Sequence, residues 1–483
     1  MTSRTTRLAA LAAGAVAAAA ATAAAAVASP GVAPPTYAAT LAPGDSATVT
    51  KTVTTPAVAP KVDVYFLADT TGSMGGAISN VKANAAAILA AVDAASPDAR
   101  YGAGDYKDFP YDVYAFQNAA PIASTDDGGA AATAAIMGWS AGGGSDWPEG
   151  QFFALKQLAS PTAASFDASW RPGSTRIVVW FGDAPAHDPV CPSVSGLAAP
   201  ITEASVTADL VAAGIKVLAV STPTLFPAAL DDDPTAFAGD YGAGCPAGGT
   251  AGQATRLAAA TGGLHLVAPS PSDVAAVIIA GLTNLPMTVT PAADCDAELS
   301  VSFSPASQTV TSGSAATFSE TITVGSGADP GTYECTVDFL LDGNPAAGFS
   351  QTVTIRVEDT TAPAVRCAET TNPGGGTVPK AGTSAGRSGQ NPDGFYVLTA
   401  SDDFDAAPAI YVGDTGSSAV FGAFAGGTRI KLTQAPGATP SQKPGAGAIA
   451  WHITLKGDAK VWAVDAAGNA SAPVLCRVAP LPK

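Results

Sequence analysis

Between residues 61 and 286 short apolar runs alternate with longer Ala-rich stretches, the pattern of a parallel sheet covered by helices on both faces. "VDVYFLA" (62–68) is apolar at nearly every position and reads as a strand buried on both sides; "ISNVKANAAAILAAV" behind it reads as a helix. "ARYGAGDY" (99–106) and "DVYAF" (112–116) lie close enough to form a hairpin edge. Helix "GQFFALKQLA", strand "TRIVVWF", helix "EASVTADLVAAG" and strand "IKVLAV" follow, then helix "GQATRLAAATG", strand "LHLV" and helix "SDVAAVIIAGL". The expected unit is a doubly wound α/β domain, with any ligand beyond the carboxyl ends of its strands.

After residue 286 the pattern changes to alternating Thr, Val, Ser and Phe between turn residues. "DAELSVSFSPASQTVTSGSAATFSETITV" and "GTYECTVDFLLDGNPAAGFSQTVTIRV" predict an antiparallel sandwich at 288–357, and a second β region is expected at 360–483. Both regions resemble immunoglobulin-like sandwiches in architecture. Tyr333, two residues before Cys335, fits the tyrosine corner of such folds and equally fits an ordinary strand tyrosine.

Composition narrows the class. At 483 residues with 47% hydrophobic content, the chain has material for two to four domains with real cores. Lys and Arg number 23 against 40 Asp and Glu, a formal net charge of −17, and no basic block offers a phosphate backbone a partner, so nucleic acid is not expected. Arg4 and Arg7 before an Ala-rich run ending in Ala26-Val27-Ala28 read as a secretory signal over residues 1–28, which implies a secreted, extracellular protein with no membrane span in its mature chain. An uncleaved run would instead be a membrane anchor. The six cysteines then read as disulfides, one staple per unit: Cys191–Cys245, Cys295–Cys335 and Cys367–Cys476.

The candidate chemistry sits where the first strand ends. Asp69-x-Thr71-x-Ser73 offers one carboxylate and two hydroxyls, a hard-oxygen set suited to Mg²⁺, Mn²⁺ or Ca²⁺; read alone, such a cluster before a helix is more often an N-cap than a metal ligand. "GGGSDWPEGQF" adds Asp146 and Glu149, and "VVWFGDAPAHDP" adds Asp183, His187 and Asp188 at other strand ends. The order, spacing and residue types resemble a von Willebrand factor A domain with a metal-ion-dependent adhesion site, in the version found in integrin β subunits. Asp69-x-Thr71-x-Ser73 before Met74, Asp146-x-Pro148-Glu149-Gly150, Asp183-Ala184-x-x-His187 and Gly102-x-Gly104-x-Tyr106-x-Asp108 carry the resemblance.

It implies that Asp69, Thr71, Ser73 and Glu149 hold Mg²⁺ or Mn²⁺, with Asp183 close by, and that a partner protein's acidic side chain completes the metal shell. It also implies a second, calcium-type site at Asp108, Asp146, the Pro148 carbonyl and Glu149, although the Asn of that site falls at Gly144 here. A third site needs two acids after the Met, where this chain has Gly75-Gly76-Ala77, so none is expected. By analogy with integrin β subunits, residues 29–60 complete the 288–357 sandwich, with the α/β domain of 61–286 inserted between them.

Rival readings stay open. A structural extracellular protein could use the metal only to stiffen its fold. A hydrolase could use His187 beside Asp183, but only three histidines exist, with no His-Glu-x-x-His run and no Gly-x-Ser-x-Gly elbow, and no enzyme is expected. Asp231, Asp232 and Asp233 read as solvated charge.

Overall fold

Three short strands open the computed structural model, which describes residues 29–108, 111–144, 147–224, 227–237, 244–370 and 394–477. The signal reading of 1–28 and Asp146 fall outside these residues. The opening strands are β1 (Gly31–Ala33), β2 (Thr36–Leu41) and β3 (Ser46–Thr54). The α/β unit follows as β4 (Lys61–Asp69), α1 (Gly75–Asp93), β5 (Asp98–Tyr106), β6 (Phe116–Ala120), α2 (Ala130–Gly138), α3 (Gln151–Ala159) and β7 (Thr175–Gly182). It continues through α4 (Pro192–Ser195), α5 (Glu203–Ala212), β8 (Ile215–Ser221), α6 (Gln253–Ala260), β9 (Leu264–Val267) and α7 (Val274–Leu282).

The sheet order is β6-β5-β4-β7-β8-β9, parallel except at β6. The near-continuous apolar run of β4 is explained by cover on both faces. Val62, Val64, Phe66 and Ala68 join one core with α1 and α7, while Tyr65 and Leu67 join the other with α3, α5 and α6. Each large side chain so buried contributes roughly 1.5–3 kcal/mol. Strand order reverses between β4 and β7, so the chain opens a crevice at their carboxyl ends, where Asp69 and Asp183 lie.

Two local expectations need correction. The edge strand is Phe116–Ala120 rather than 112–116, because the Asp112 carboxylate accepts backbone N–H bonds from Asp108 (3.3 Å) and Gly144 (2.9 Å) and turns the chain first. Helix α2 was not expected; its Ala-rich run buries only Ala132 and Ile136 and has little apolar contrast to read. Gly104 is where β6 comes close: a Cβ there would lie 2.5 Å from the Gln117 carbonyl.

Strand β3 does not pair with the α/β sheet. Strands β10 (Pro286–Cys295), β11 (Leu299–Ser304), β12 (Gln308–Thr311), β13 (Ala315–Val324), β14 (Gly331–Leu341) and β15 (Ser350–Val357) form two sheets with it, in the orders β1-β3-β13-β11 and β12-β10-β14-β15-β2. β3 runs antiparallel to β13 from Ser46 opposite Thr323 to Thr54 opposite Ala315, and β2 runs parallel to β15. Val53, Phe318, Ile322, Phe339 and Val353 share the core between the sheets. The chain thus leaves this unit after β3, builds the α/β domain and returns at β10.

Residues 364–370 and 394–476 form a second pair of sheets around Leu398, Ile410, Val412, Ile430 and Val461. The three disulfides are Cys191–Cys245, Cys295–Cys335 and Cys367–Cys476. The first joins loops of the α/β unit, the second bridges directly opposed residues of β10 and β14, and the third joins the two C-terminal sheets. No helix among the described residues is long and apolar enough to cross a membrane.

Candidate metal centre

The chain leaves β4 at Asp69, makes one tight turn over Gly72–Met74 and enters α1 at Gly75. Met74 is fully buried in the core beneath and fixes that turn. Two backbone bonds tie the loop to its neighbour, from Gly72 to the Gly143 carbonyl (3.0 Å) and from Gly142 to the Thr70 carbonyl (3.1 Å). Lys107 reinforces the junction, donating to the Thr70 carbonyl at 2.5 Å and to the Gly142 carbonyl. Its ammonium is therefore spent on carbonyls although it lies beside acidic groups.

The turn gathers oxygens. Asp69 Oδ1 accepts from the Thr71 backbone N–H (2.9 Å) and hydroxyl (2.7 Å), and Thr71 Oγ1 lies 3.5 Å from Ser73 Oγ. Ser73 donates to Asp183 Oδ1 at 3.0 Å, and Thr224 donates to Asp183 Oδ2 at 2.5 Å. Glu149 is held by its backbone: its N–H donates to the Pro185 carbonyl (2.9 Å), and its carbonyl accepts from His187 N–H (3.1 Å). Thr71, Ser73, Glu149, Trp147, Gly143 and Gly144 line one open cleft of about 190 Å³. Ser73 and Gly72 face solvent, whereas Asp69, Thr71, Glu149 and Asp183 are buried beneath them.

The electrostatics of this floor are unfavourable without a cation. Burial, then the Asp183 charge, push the Asp69 carboxyl up to about 7, although Thr71 bonds its charged form. Burial likewise pushes Glu149 well above the usual carboxylate range, with Asp69 and Asp108 adding to the effect, and burial raises Asp183 against its bonds from Thr224 and Ser73. Two oxygens, Asp69 Oδ2 and Glu149 Oε2, are buried without any hydrogen-bond partner. Orphaned carboxylate oxygens beside two hydroxyls are a donor set that a hard divalent cation satisfies, so the residues present fit one.

The residues of the second, calcium-type set are placed differently. Asp108 Oδ1 accepts from His187 Nε2 at 2.8 Å, with both side chains buried. Pro148 is buried next to Glu149, and Asp146 lies outside the described residues. Gly144 takes a left-handed backbone (φ +74°), and a Cβ there would sit 3.0 Å from Thr71 Cβ and 3.2 Å from Glu149 Oε1. A side chain at this position would crowd the cleft floor.

Sequence reasoning missed Thr224 and Lys107. The only signal for Thr224 was its place just past the end of β8; Lys107 gave none, because its role is to bond carbonyls. Asp231 also needs correction. It accepts from Thr255 N–H (3.0 Å) and hydroxyl (2.5 Å) and lies 3.2 Å from His265 Nδ1. Burial works against its charge, yet the His265 and Thr255 bonds hold its carboxyl down at about 2, so it is a built-in loop clasp rather than solvated charge.

Comparison with known proteins agrees with the α/β reading. A family model described as integrin beta-like protein A-E, vWA-like, matches residues 33–195, about a third of the chain. The match starts in the N-terminal strands and spans Asp69, Thr71, Ser73, Glu149 and Asp183. The chain thus has a vWA-like N-terminal domain, similar to that family over the matched residues, followed by a mostly β C-terminal region. Among solved structures, proximal thread matrix protein 1 from the mussel byssus is similar at 13% identity with a TM-score of 0.31, covering 47% of this chain and 50% of that one. The chain thus spans about half the length of that protein, and a likeness at this level supports no conclusion. The comparison with curated proteins gives no match.

Proposed function

We propose that the α/β unit is a divalent-cation-dependent adhesion or protein-binding module and not an enzyme. Asp69, Thr71, Ser73 and Glu149 would hold Mg²⁺ or Mn²⁺, with Asp183 behind Ser73. One observation carries the reading: Asp69 Oδ2 and Glu149 Oε2 are buried and unpartnered, Glu149 in the lining of the open cleft and Asp69 bonded to Thr71, which lines the same cleft. A bound cation would supply the positive anchor for a partner's carboxylate. The chain's own part is to offer two neutral hydroxyls, so that the ion's charge is not fully cancelled, and to hold the loop rigid through Lys107 and Met74. The calcium-type site has less support, since His187 engages Asp108 and Gly144 brings no side chain.

An extracellular setting is part of the proposal and is supported by the three disulfides. So is an immunoglobulin-like identity for the first β unit, supported by the Tyr333 hydroxyl, which donates to the Asp329 carbonyl at 2.9 Å as a tyrosine corner does. The hydrolase reading loses support because His187 is buried against Asp108 and does not line the cleft.

The test is binding of the full chain to arrayed peptides, each acidic peptide set beside its amide twin, in Mn²⁺ and in chelator. The proposal expects binding that is lost both in the amide twins and in chelator while the protein stays folded. Binding unaffected by chelator would leave the metal a structural role only and overturn the adhesive reading.

A further inference from the structure

The first sandwich hides three reactive groups in its core. Lys51 on β3 and Glu320 on β13 are both fully buried, and Gln351 on β15 in the facing sheet is 1% exposed. Lys51 stands opposite Phe318 in the β3–β13 register, so Glu320, two residues on, is its diagonal neighbour on the same inward face. Glu320 Oε2 lies 3.6 Å from Lys51 Nζ and 3.0 Å from Gln351 Nε2, so both nitrogens meet at one carboxylate oxygen. Lys51 Nζ also donates to the Pro34 carbonyl at 3.1 Å, next to Pro35, whose carbonyl accepts from Thr352 N–H, the residue after Gln351.

Packing alone does not account for this group. A buried ion pair seldom stabilises more than apolar residues of the same volume, and an unbonded amide oxygen in a dry core is unfavourable; Gln351 Oε1 has no partner. An amine, an amide and a carboxylate in a water-poor site are, however, the components of an acyl transfer. Burial pushes the Lys51 pKa down, against the Glu320 charge that raises it. A desolvated ammonium beside a carboxylate passes on its proton more readily than in water, which frees a nucleophilic amine.

We propose that Lys51 and Gln351 join through an intramolecular isopeptide bond, with Glu320 as the proton shuttle. Glu320 takes a proton from the Lys51 ammonium, and the freed Nζ, swinging on its flexible stem, attacks Cδ of Gln351. The Nζ–Cδ bond forms, the Cδ–Nε2 bond breaks, and Glu320 returns a proton to the departing nitrogen. In sum, one ammonium and one primary amide become one secondary amide and one ammonium ion, so atoms and charge balance with no oxidant or reductant. The bond would join strands that flank the α/β unit in sequence. It would close a sandwich whose pieces are otherwise united only by non-covalent pairing and a disulfide within the returning half.

Peptide mapping of the reduced full-length protein by mass spectrometry decides the matter. The expected result is a branched peptide containing Lys51 and Gln351, lighter by one ammonia than its two linear parts together, and its loss in Glu320→Gln. Only linear, unmodified peptides from folded wild-type protein would overturn the proposal, whether or not the variant folds. A branched peptide undiminished in Glu320→Gln would overturn the role given to Glu320.

Discussion

Strand β4 carries a fully buried aspartate near each end, and the two are treated in opposite ways. At the amino end Asp63 is closed off by the protein. Its Oδ1 accepts from Arg171 Nε at 2.6 Å, and its Oδ2 accepts from the Arg171 backbone N–H and the Ser174 hydroxyl, each at 2.8 Å. Arg171 also reaches Asp98 Oδ1 at 2.6 Å. At the carboxyl end Asp69 has one oxygen bonded to Thr71 and one bonded to nothing, with Glu149 and Asp183 beside it and Lys107 turned to carbonyls. A sheet can bury a carboxylate by supplying the cation itself or by leaving that place to solution. This one does the first at the end away from the crevice and the second at the crevice.

The largest expected effect comes from breaking the closed end. Arg171→Ala strands Asp63 as an uncompensated buried charge and is expected to destabilise the fold by about 3–5 kcal/mol, measured by denaturant unfolding. The open end should respond to metal instead. Mn²⁺ at a hundred times its Kd is expected to stabilise the wild type by about 2.7 kcal/mol and Asp69→Asn not at all, read as a shift in thermal midpoint. In metal-free protein Asp69→Asn itself should leave stability unchanged or raise it, because it removes a repelled charge.

The two ends should also differ in their response to pH. The folded pKa of Asp69 lies above its ordinary value, so its contribution to stability is complete in acid and disappears as pH rises through about 7. That loss is on the order of 1 kcal/mol per pH unit in metal-free protein, and saturating Mn²⁺ should reverse it. Asp98 titrates the other way. The bond from Arg171 holds its carboxyl below the ordinary value, so its contribution is present above that value and lost as pH falls through the lowered one. Unfolding curves across pH, with and without chelator, check both signs. The smallest change is Asp98→Asn: this carboxylate is 41% exposed, water screens the pair, and less than about 1 kcal/mol is expected in a denaturant titration.

Much of the α/β unit was legible because β4, β7 and β8 are apolar on both faces and the helices between them are long. The edge strand was misplaced because Asp112 turns the chain through side-chain bonds that periodicity does not carry. At the crevice, Asp69, Thr71 and Ser73 are neighbours in sequence, so they could be read together. Glu149 and Asp183 were readable as carboxylates at other strand ends, but their roles at the metal came through the resemblance, because they join the cluster by tertiary packing. Thr224, Lys107 and the Arg171 clasp were invisible: each acts on a group far away in the chain, and nothing in spacing marks such a pair. The sandwich core was half legible. Its strands alternate clearly, but Lys51 and Glu320 stand at inward positions where alternation predicts apolar residues.

The central claim is that the open end of β4 is completed by a divalent cation. Calorimetric titration of the metal-free full chain with Mn²⁺ tests it most directly, with Asp69→Asn and Asp98→Asn titrated alongside. The account predicts saturable binding by the wild type and by Asp98→Asn, tighter as pH rises through 7 because protons compete for the same oxygens, and none by Asp69→Asn. No binding by the wild type at millimolar Mn²⁺, or equal binding by Asp69→Asn, would contradict it.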